Sequence, residues 1–234
     1  MNYLKLIIIL FITLSCSHQR FSLNSQDCPE NLKNFASGET CWLQTKLIKP
    51  TQAVVGHEDL KLRKKKIDKQ YSKGTLKSYL DQRTAPAIIA PSGHAYILDR
   101  HHLSKALSES FVPDSEKKIL IKIKENLSSL SQEAFINMMK ENNWVYLKKL
   151  AKPIEFDELP QSLDKMIDDP YRTLAGLARE LGAYKKTQTP FLEFYWADLY
   201  REEIKLSETM TAEDWRRKTQ EALKLSRIKK PIIP

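Results

Sequence analysis

The chain has 234 residues, 29% of them charged, and a formal net charge of +9. About 190 residues follow the Cys41 region, enough for one core or for one core with a helical extension. The sequence has one long apolar stretch, no repeat and no low-complexity tract, which excludes a polytopic membrane protein and a repeat array.

Residues 1–15 predict a signal peptide. An apolar run over residues 6–14, interrupted only by Thr13, is too short to span a bilayer. Ser15 before Cys16 resembles the lipobox of bacterial lipoproteins, so we predict lipidation at Cys16 and a membrane partner through that anchor. Plain cleavage is the alternative, because Thr13 stands where an aliphatic residue is usual. We therefore expect an exported, periplasmic or envelope-associated lipoprotein, with secretion as the second choice.

Residues 16–42 read as a tether that contains Cys28 and Cys41. In an oxidising compartment these two cysteines are expected to form a disulfide, which would add about 2–3 kcal/mol by restricting the unfolded chain. Two unpaired thiols are the alternative. Neither cysteine is predicted to be catalytic.

The first predicted elements are a strand over residues 42–48 and helices over 60–71 and 75–80, separated by Gly74. The first helix is strongly basic, and its cations are Lys61, Arg63, Lys64, Lys65, Lys66, Lys69 and Lys73. Such density suits phosphate-bearing ligands or nucleic acid. We predict that this helix faces the functional groove, with Lys65 as a phosphate contact; a solvated helix face is the alternative.

A β-hairpin is predicted next, from residues 86–90 and 96–98 around the turn Pro91-Ser92-Gly93. Its second strand runs into Asp99-Arg100-His101-His102, and a helix begins at once. Free N–H groups at a helix start and the helix dipole attract anions, so this turn predicts a phosphate site. The alternative is that these polar residues only cap the helix.

The predicted chemistry at this turn divides among its four residues. His101 or His102 would act as general acid or base near neutral pH, and Arg100 would stabilise charge on phosphoryl oxygens. Asp99 would orient a histidine or hold a cation. A zinc site is disfavoured, because no His-x-x-x-His or Cys-x-x-Cys spacing is present.

The remaining elements are a half-buried strand over 118–124, a helix over 131–142, an extended piece over 144–146 and helices over 171–181, 191–206 and 211–227. Mixed elements followed by helices alone predict an α+β fold: a small mixed β-sheet core over 43–150 and a helical C-terminal extension over 151–234 packed on it. The C-terminal tail is rich in basic residues, and we interpret them as a solvated helix face; binding to an anionic membrane surface is a second possible role. These residues are Arg216, Arg217, Lys218, Lys224, Arg227, Lys229 and Lys230.

A second polar cluster is Asp168-Asp169-Pro170-Tyr171-Arg172. Pro170 fits the first turn of a helix, so the two aspartates are natural caps. They are also candidate ligands for a divalent cation, Mg or Mn. Arg172 is placed to bind phosphate. Glu193, surrounded by aromatic residues, is predicted to pair with Arg172 or Arg179.

Together these segments resemble the ParB-like nuclease family of the ParB/sulfiredoxin-fold superfamily. The matching pieces, within residues 43–205, are Lys49-Pro50-Thr51-Gln52, Val55-Gly56, Ile97 to Leu103, Asp168 to Arg172, Pro190 to Phe194 and Trp196-Ala197-Asp198. The resemblance implies a phosphate- or nucleotide-binding turn at residues 99–102 and makes Gln52 a substrate-binding candidate. Arg100 replaces a glycine of the family's turn, and Leu103 replaces an arginine.

Export helps to choose among the activities of that superfamily. ATP is scarce beyond the cytoplasmic membrane, so an ATP-dependent kinase or reductase would lack its phosphoryl donor there. Hydrolysis needs only water, with or without a divalent ion. We therefore expect a nuclease or nucleotide phosphohydrolase with nucleic acid or a nucleotide as substrate. The alternative is a non-catalytic envelope protein whose basic face binds nucleic acid or another anionic polymer.

Overall fold

The computed structural model describes residues 26–233, so the predicted signal peptide and Cys16 lie outside it. Its strands are β1 (Thr40–Gln44), β2 (Lys49–Pro50), β3 (Val54–Val55), β4 (Ala85–Ile89), β5 (Ala95–Ile97), β6 (Lys118–Asn126), β7 (Lys148–Lys149), β8 (Lys152–Pro153) and β9 (Ile167–Asp168). Its helices are α1 (His57–Ser72), α2 (Leu76–Asp81), α3 (His101–Ser108), α4 (Gln132–Glu141), α5 (Pro170–Glu180), α6 (Leu192–Glu203) and α7 (Ala212–Ile228). The α+β class is confirmed.

A five-stranded mixed sheet in the order β1-β6-β4-β5-β2 forms the centre of the fold. Strands β4 and β5 pair antiparallel as the predicted hairpin, with Ala87 opposite Ile97. Both β4–β6 and β2–β5 pair in parallel. The alternating isoleucines of β6 are fully buried in the main hydrophobic cluster, which also contains apolar residues of α1, α2 and α3; of these helices, α2 packs on β6.

The predicted strand over 42–48 is wrong at both ends, because β1 begins at Thr40 and ends at Gln44. The backbone N–H of Thr45 still donates to Lys117 O at 2.9 Å, but the chain then turns through residues 45–47. The turn has a topological cause: β1 and β2 lie at opposite edges of the sheet, so the chain must leave one edge to reach the other.

From residue 26 onward, the predicted tether is an integral part of the core. Cys28 and Cys41 are joined by a disulfide with an S–S distance of 2.08 Å. Leu32 is 1% exposed within the main hydrophobic cluster, and its N–H donates to Gly93 O in the hairpin turn at 3.0 Å. The segment therefore packs against the hairpin that carries the candidate site.

The helical C-terminal extension has its own core between α5, α6 and α7, in which the fully buried Tyr200 donates or accepts a 2.7 Å hydrogen bond with Ser226. It is joined to the sheet domain through β9, which pairs in parallel with β3. A small cluster around Tyr146 and Phe194 seals the same boundary. No helix within residues 26–233 is both long and apolar enough to cross a membrane.

Candidate functional site

The β5–α3 junction is a tight turn held by its own side chain. The backbone N–H of Arg100 donates to Asp99 Oδ1 at 2.6 Å. Arg100 itself has φ 71° and ψ 16°, the left-handed conformation that glycine adopts without a steric cost. An arginine at this position therefore folds into a glycine-like turn, at a cost of about 1–2 kcal/mol.

His101 and His102 are 3% and 8% exposed, so both imidazoles are buried although they lie in the first turn of α3. His101 Nε2 accepts a hydrogen bond from the backbone N–H of Thr51 at 3.1 Å. His102 Nε2 accepts from the N–H of Gly56 at 2.8 Å. The two imidazoles thereby fix the segment that contains β2 and β3 onto the start of α3, which is a packing role that the polarity of the sequence motif conceals.

The electrostatics of both imidazoles follow from their burial. Desolvation lowers the pKa of His101 to about 4, against the opposing effect of Asp99. Desolvation and then the nearby Arg172 hold the pKa of His102 well below its usual range. Both rings are therefore neutral at pH 7. Because each Nε2 accepts a backbone N–H, the ring proton of each lies on Nδ1.

Gly56 is the point at which three helices meet. It precedes α1, its N–H bonds His102 on α3, and a Cβ there would lie 2.7 Å from Oγ1 of Thr173 on α5. A side chain at this position would push α5 away from the junction. The missing Cβ therefore brings Arg172, which precedes Thr173, close to the turn.

A cleft of about 500 Å³ opens at this junction. The cations that line it are Arg63, Arg100, Lys124, Arg172, Arg179 and Lys186, and the acids are Asp59, Asp99, Glu180 and Glu193. The aromatic side chains in its wall are Trp144, Phe191 and Phe194. Nothing in the sequence indicates that Lys124 and Trp144 line a site, because the tertiary fold alone brings strand β6 and the chain after α4 to the cleft.

Ion pairing divides the arginines of the cleft into two kinds. Arg63 pairs with Asp59 at 2.9 Å. Glu193, which was predicted to pair with Arg172 or Arg179, pairs with Arg179. Arg100 and Arg172 differ, since the Nε of each is buried without a hydrogen-bond partner in the described part of the chain. Arg100 lies only 3.9 Å from the Asp99 carboxylate in a loose contact.

The guanidinium of Arg172 lies 5.3 Å from the ring centre of Phe194, which supports it through a cation–π contact. Burial lowers its pKa, yet an arginine stays charged at neutral pH. Arg172 lines the cleft and forms no salt bridge with a carboxylate among residues 26–233, so its charge is not neutralised by direct contact there. This arrangement suits an anionic ligand.

Asp168 and Asp169 are occupied as helix caps. Asp168 Oδ1 accepts from the N–H of His57 at the start of α1, at 2.8 Å. Asp169 accepts from the N–H of Tyr171 at 2.9 Å and from Arg201 at 2.7 Å. Within residues 26–233, no group of three or more His, Cys, Asp or Glu side chains is arranged to hold a metal ion.

Of the other two residues predicted to contact the ligand, one lines the cleft and one does not. Gln52 lines the cleft, with its amide donating to Val54 O at 2.8 Å. Lys65 is exposed on α1 and does not line the cleft. Helix α1 does face the cleft as expected, but it does so through Asp59, Leu62 and Arg63, and none of its lysines lines the cleft.

Comparison with known proteins gives the family and a structural relative of the chain. The family model described as "Putative ParB-like nuclease" matches residues 41–202. The crystal structure of protein Atu1540 from Agrobacterium tumefaciens is similar, with a TM-score of 0.65 and 26% identity over 80% of this chain and 91% of that one. Among the curated proteins, none matches. Because the family model covers more than half of its length, the chain belongs to the ParB-like nuclease family.

Proposed function

We propose that this protein is an exported phosphoester hydrolase, a nuclease or a nucleotide phosphohydrolase, that works in the cleft at the β5–α3 junction. The observation that carries the proposal is the pair of arginines that line the cleft, Arg100 and Arg172, whose buried Nε atoms have no hydrogen-bond partner in the described chain. Membership of the ParB-like nuclease family supports a nuclease-like reaction.

In this proposal the two guanidinium groups bind the phosphoryl oxygens and stabilise the charge that develops on them. The first N–H groups of α3 point to the same region and add the field of the helix N-terminus. Gln52 lines the same cleft and is a further candidate contact to the ligand. The substrate would be a nucleic acid strand or a nucleotide.

The proposed catalytic roles follow from the environments of the titratable groups. Asp99 has a side chain that is 60% exposed at the rim of the cleft, and it would orient the attacking water or hold a Mg or Mn ion. His101 and His102, neutral and bonded to backbone N–H groups, would position the turn rather than transfer a proton. We include Asp168 in this proposal as a second ligand of that ion.

The alternative is a protein that binds nucleic acid or another anionic polymer in this cleft without turnover. The engaged Nε2 atoms of both histidines favour it, because they remove the obvious general base from the turn. In both versions the leader and Cys16 would place the protein in the bacterial envelope as a lipoprotein.

The test is a turnover and binding assay on single-stranded DNA, RNA and nucleotides, with magnesium, manganese or EDTA. We expect turnover in the wild type and a loss of at least about tenfold in affinity for Arg172→Gln, since a charge-assisted bidentate contact is worth about 1.5–3 kcal/mol. Lys65→Gln removes the same charge outside the cleft and is the matched control.

Binding that depends on Arg172 without turnover under any metal condition would favour the non-catalytic alternative. If Arg172→Gln and Lys65→Gln weaken binding equally, the ligand is held by net charge and the cleft is not its site. Thermal unfolding of both variants excludes a folding defect as the cause.

A further inference from the structure

Helix α7 separates its cations into paired and unpaired ones. In its first half Arg216 pairs with Glu213 at 2.5 Å and Arg217 with Asp214 at 3.0 Å. Near its end, Lys224 and Arg227 are exposed and make no ion pair or hydrogen bond with any residue in the range 26–233. Positive charge that is not neutralised is therefore concentrated at the C-terminal end of the helix.

Three apolar side chains accompany these cations. Ile228, Ile232 and Ile233 are 80%, 93% and 45% exposed. Cations in the last turn of a helix are accounted for by the helix dipole, but that effect gives no reason for exposed isoleucines. Burying each of them would be favourable, so three within six residues mark an interaction surface.

The segment that carries the isoleucines is fixed to the fold. Lys229 pairs with Glu203 on α6, and Lys230 donates to Ser226 O at 2.8 Å while its ammonium lies 5.5 Å from the centre of the Trp196 ring. These contacts hold the chain beside α6 as far as Lys230, so Ile228 is exposed on a fixed part of the surface, and Ile232 and Ile233 follow directly after it.

We propose that this C-terminal patch, made of Lys224, Arg227, Ile228, Ile232 and Ile233, docks on an anionic phospholipid surface. Cations that bind lipid phosphates, next to apolar side chains that enter the acyl boundary, are the chemistry of an interfacial anchor. Pairing with a partner's β-strand fits less well, because Pro231 and Pro234 flank the two isoleucines and lack N–H donors.

The experiment measures sedimentation with vesicles of phosphatidylcholine alone and of phosphatidylcholine with phosphatidylglycerol. The chain is produced from residue 17, which removes the leader and Cys16; every hydrophobic cluster lies between residues 28 and 225 and is retained. We expect binding to the anionic vesicles only. Lys224→Gln with Arg227→Gln should weaken it about 25-fold, or about fivefold for each cation, which corresponds to about 1 kcal/mol each.

Arg216→Gln with Arg217→Gln is the matched control, because it removes the same charge from paired positions of the same helix. Replacement of the three isoleucines by serine should weaken binding by about tenfold or more, while Leu181→Ser, at a 51% exposed site elsewhere, should not. Equal losses of binding in the Lys224/Arg227 and Arg216/Arg217 double variants would overturn the proposal. Failure of the wild type to bind either kind of vesicle would do the same. So would self-association in solution that the isoleucine replacements abolish, because the patch would then bind a second copy.

Discussion

At the scale of single residues, Arg100 combines a conformational cost with a chemical use. Its left-handed backbone is the conformation that glycine adopts without strain, and the arginine adopts it while its side chain lines the cleft. Its Nε has no hydrogen-bond partner among residues 26–233. Strained backbone that persists in a folded protein is characteristic of ligand-binding turns. The strained conformation and the unsatisfied Nε therefore support the same proposed function.

Replacing Arg100 separates these two contributions. We expect Arg100→Gly to exceed Arg100→Ala in free energy of unfolding by about 1 kcal/mol, because only glycine relieves the left-handed strain. Both variants should lose affinity for a phosphate-bearing ligand to the same extent, since both lack the guanidinium. Urea denaturation and a binding titration measure the two quantities. Equal stability of the two variants would show that the turn is not strained.

The buried imidazole of His101 should make stability depend on pH. The unfolded chain takes up a proton on this ring near pH 6.5, whereas the folded chain does so only near pH 4. The free energy of unfolding should therefore be at its full value above pH 6.5 with respect to this ring, and it should fall by about 3 kcal/mol as the pH drops to 4. Denaturant titrations across this range measure the slope.

His101→Gln is the control for that slope. A glutamine carbonyl can accept the N–H of Thr51 but does not titrate, so this variant should lose stability less steeply between pH 6.5 and 4. A slope identical to that of the wild type would assign the pH dependence to other groups. His102, which is buried in the same way, contributes in the same direction and is unchanged in both proteins.

At the scale of elements, helix caps hold the parts of the site together. Asp168 belongs to β9 in the extension, yet it caps α1 in the sheet domain. Asp169 caps α5, the helix that carries Arg172. The two adjacent carboxylates thus orient two helices that border the cleft, which is a structural use for residues that the sequence also suggested as cation ligands.

Substitution of Asp168 distinguishes capping from cation binding. Asp168→Asn keeps an acceptor for the N–H of His57 and should change stability by less than about 0.5 kcal/mol, while Asp168→Ala should cost about 1 kcal/mol. If the carboxylate only caps, turnover of Asp168→Asn with magnesium or manganese matches the wild type. A selective loss of metal-dependent turnover in that stable variant would instead assign Asp168 to a cation.

At the scale of the whole molecule, local signals in the sequence were sufficient for most elements. The hairpin around Gly93 follows from its turn residues, and the start of the helix predicted over 211–227 is marked by Thr211 and Asp214, which form a capping box in α7. The pairing of β3 with β9 had no such signal, since each strand has two residues and they are more than a hundred positions apart. The burial of both histidines escaped prediction for the same reason, because distant backbone covers them.

The disulfide connects the N-terminal segment to β1 and affects the stability of the whole domain. Its cysteines are 13 positions apart, and closing a loop of that size corresponds to about 3 kcal/mol. We expect reduction, or Cys28→Ser with Cys41→Ser, to lower the free energy of unfolding by about that amount. Thiol labelling of the unreduced protein, isolated from its own cell, should find neither cysteine free. Labelling of both would show that they are not bridged in the cell.

The parallel pairing of β3 with β9 also determines when the cleft is completed during folding. Arg100 lies in the sheet domain and Arg172 follows β9, so the two cations meet only after the extension has docked. A chain whose synthesis has stopped before β9 lacks Arg172, and its Val54 and Val55 have no partner strand. The cleft is therefore a property of the finished molecule, and an unfinished chain carries only half of it.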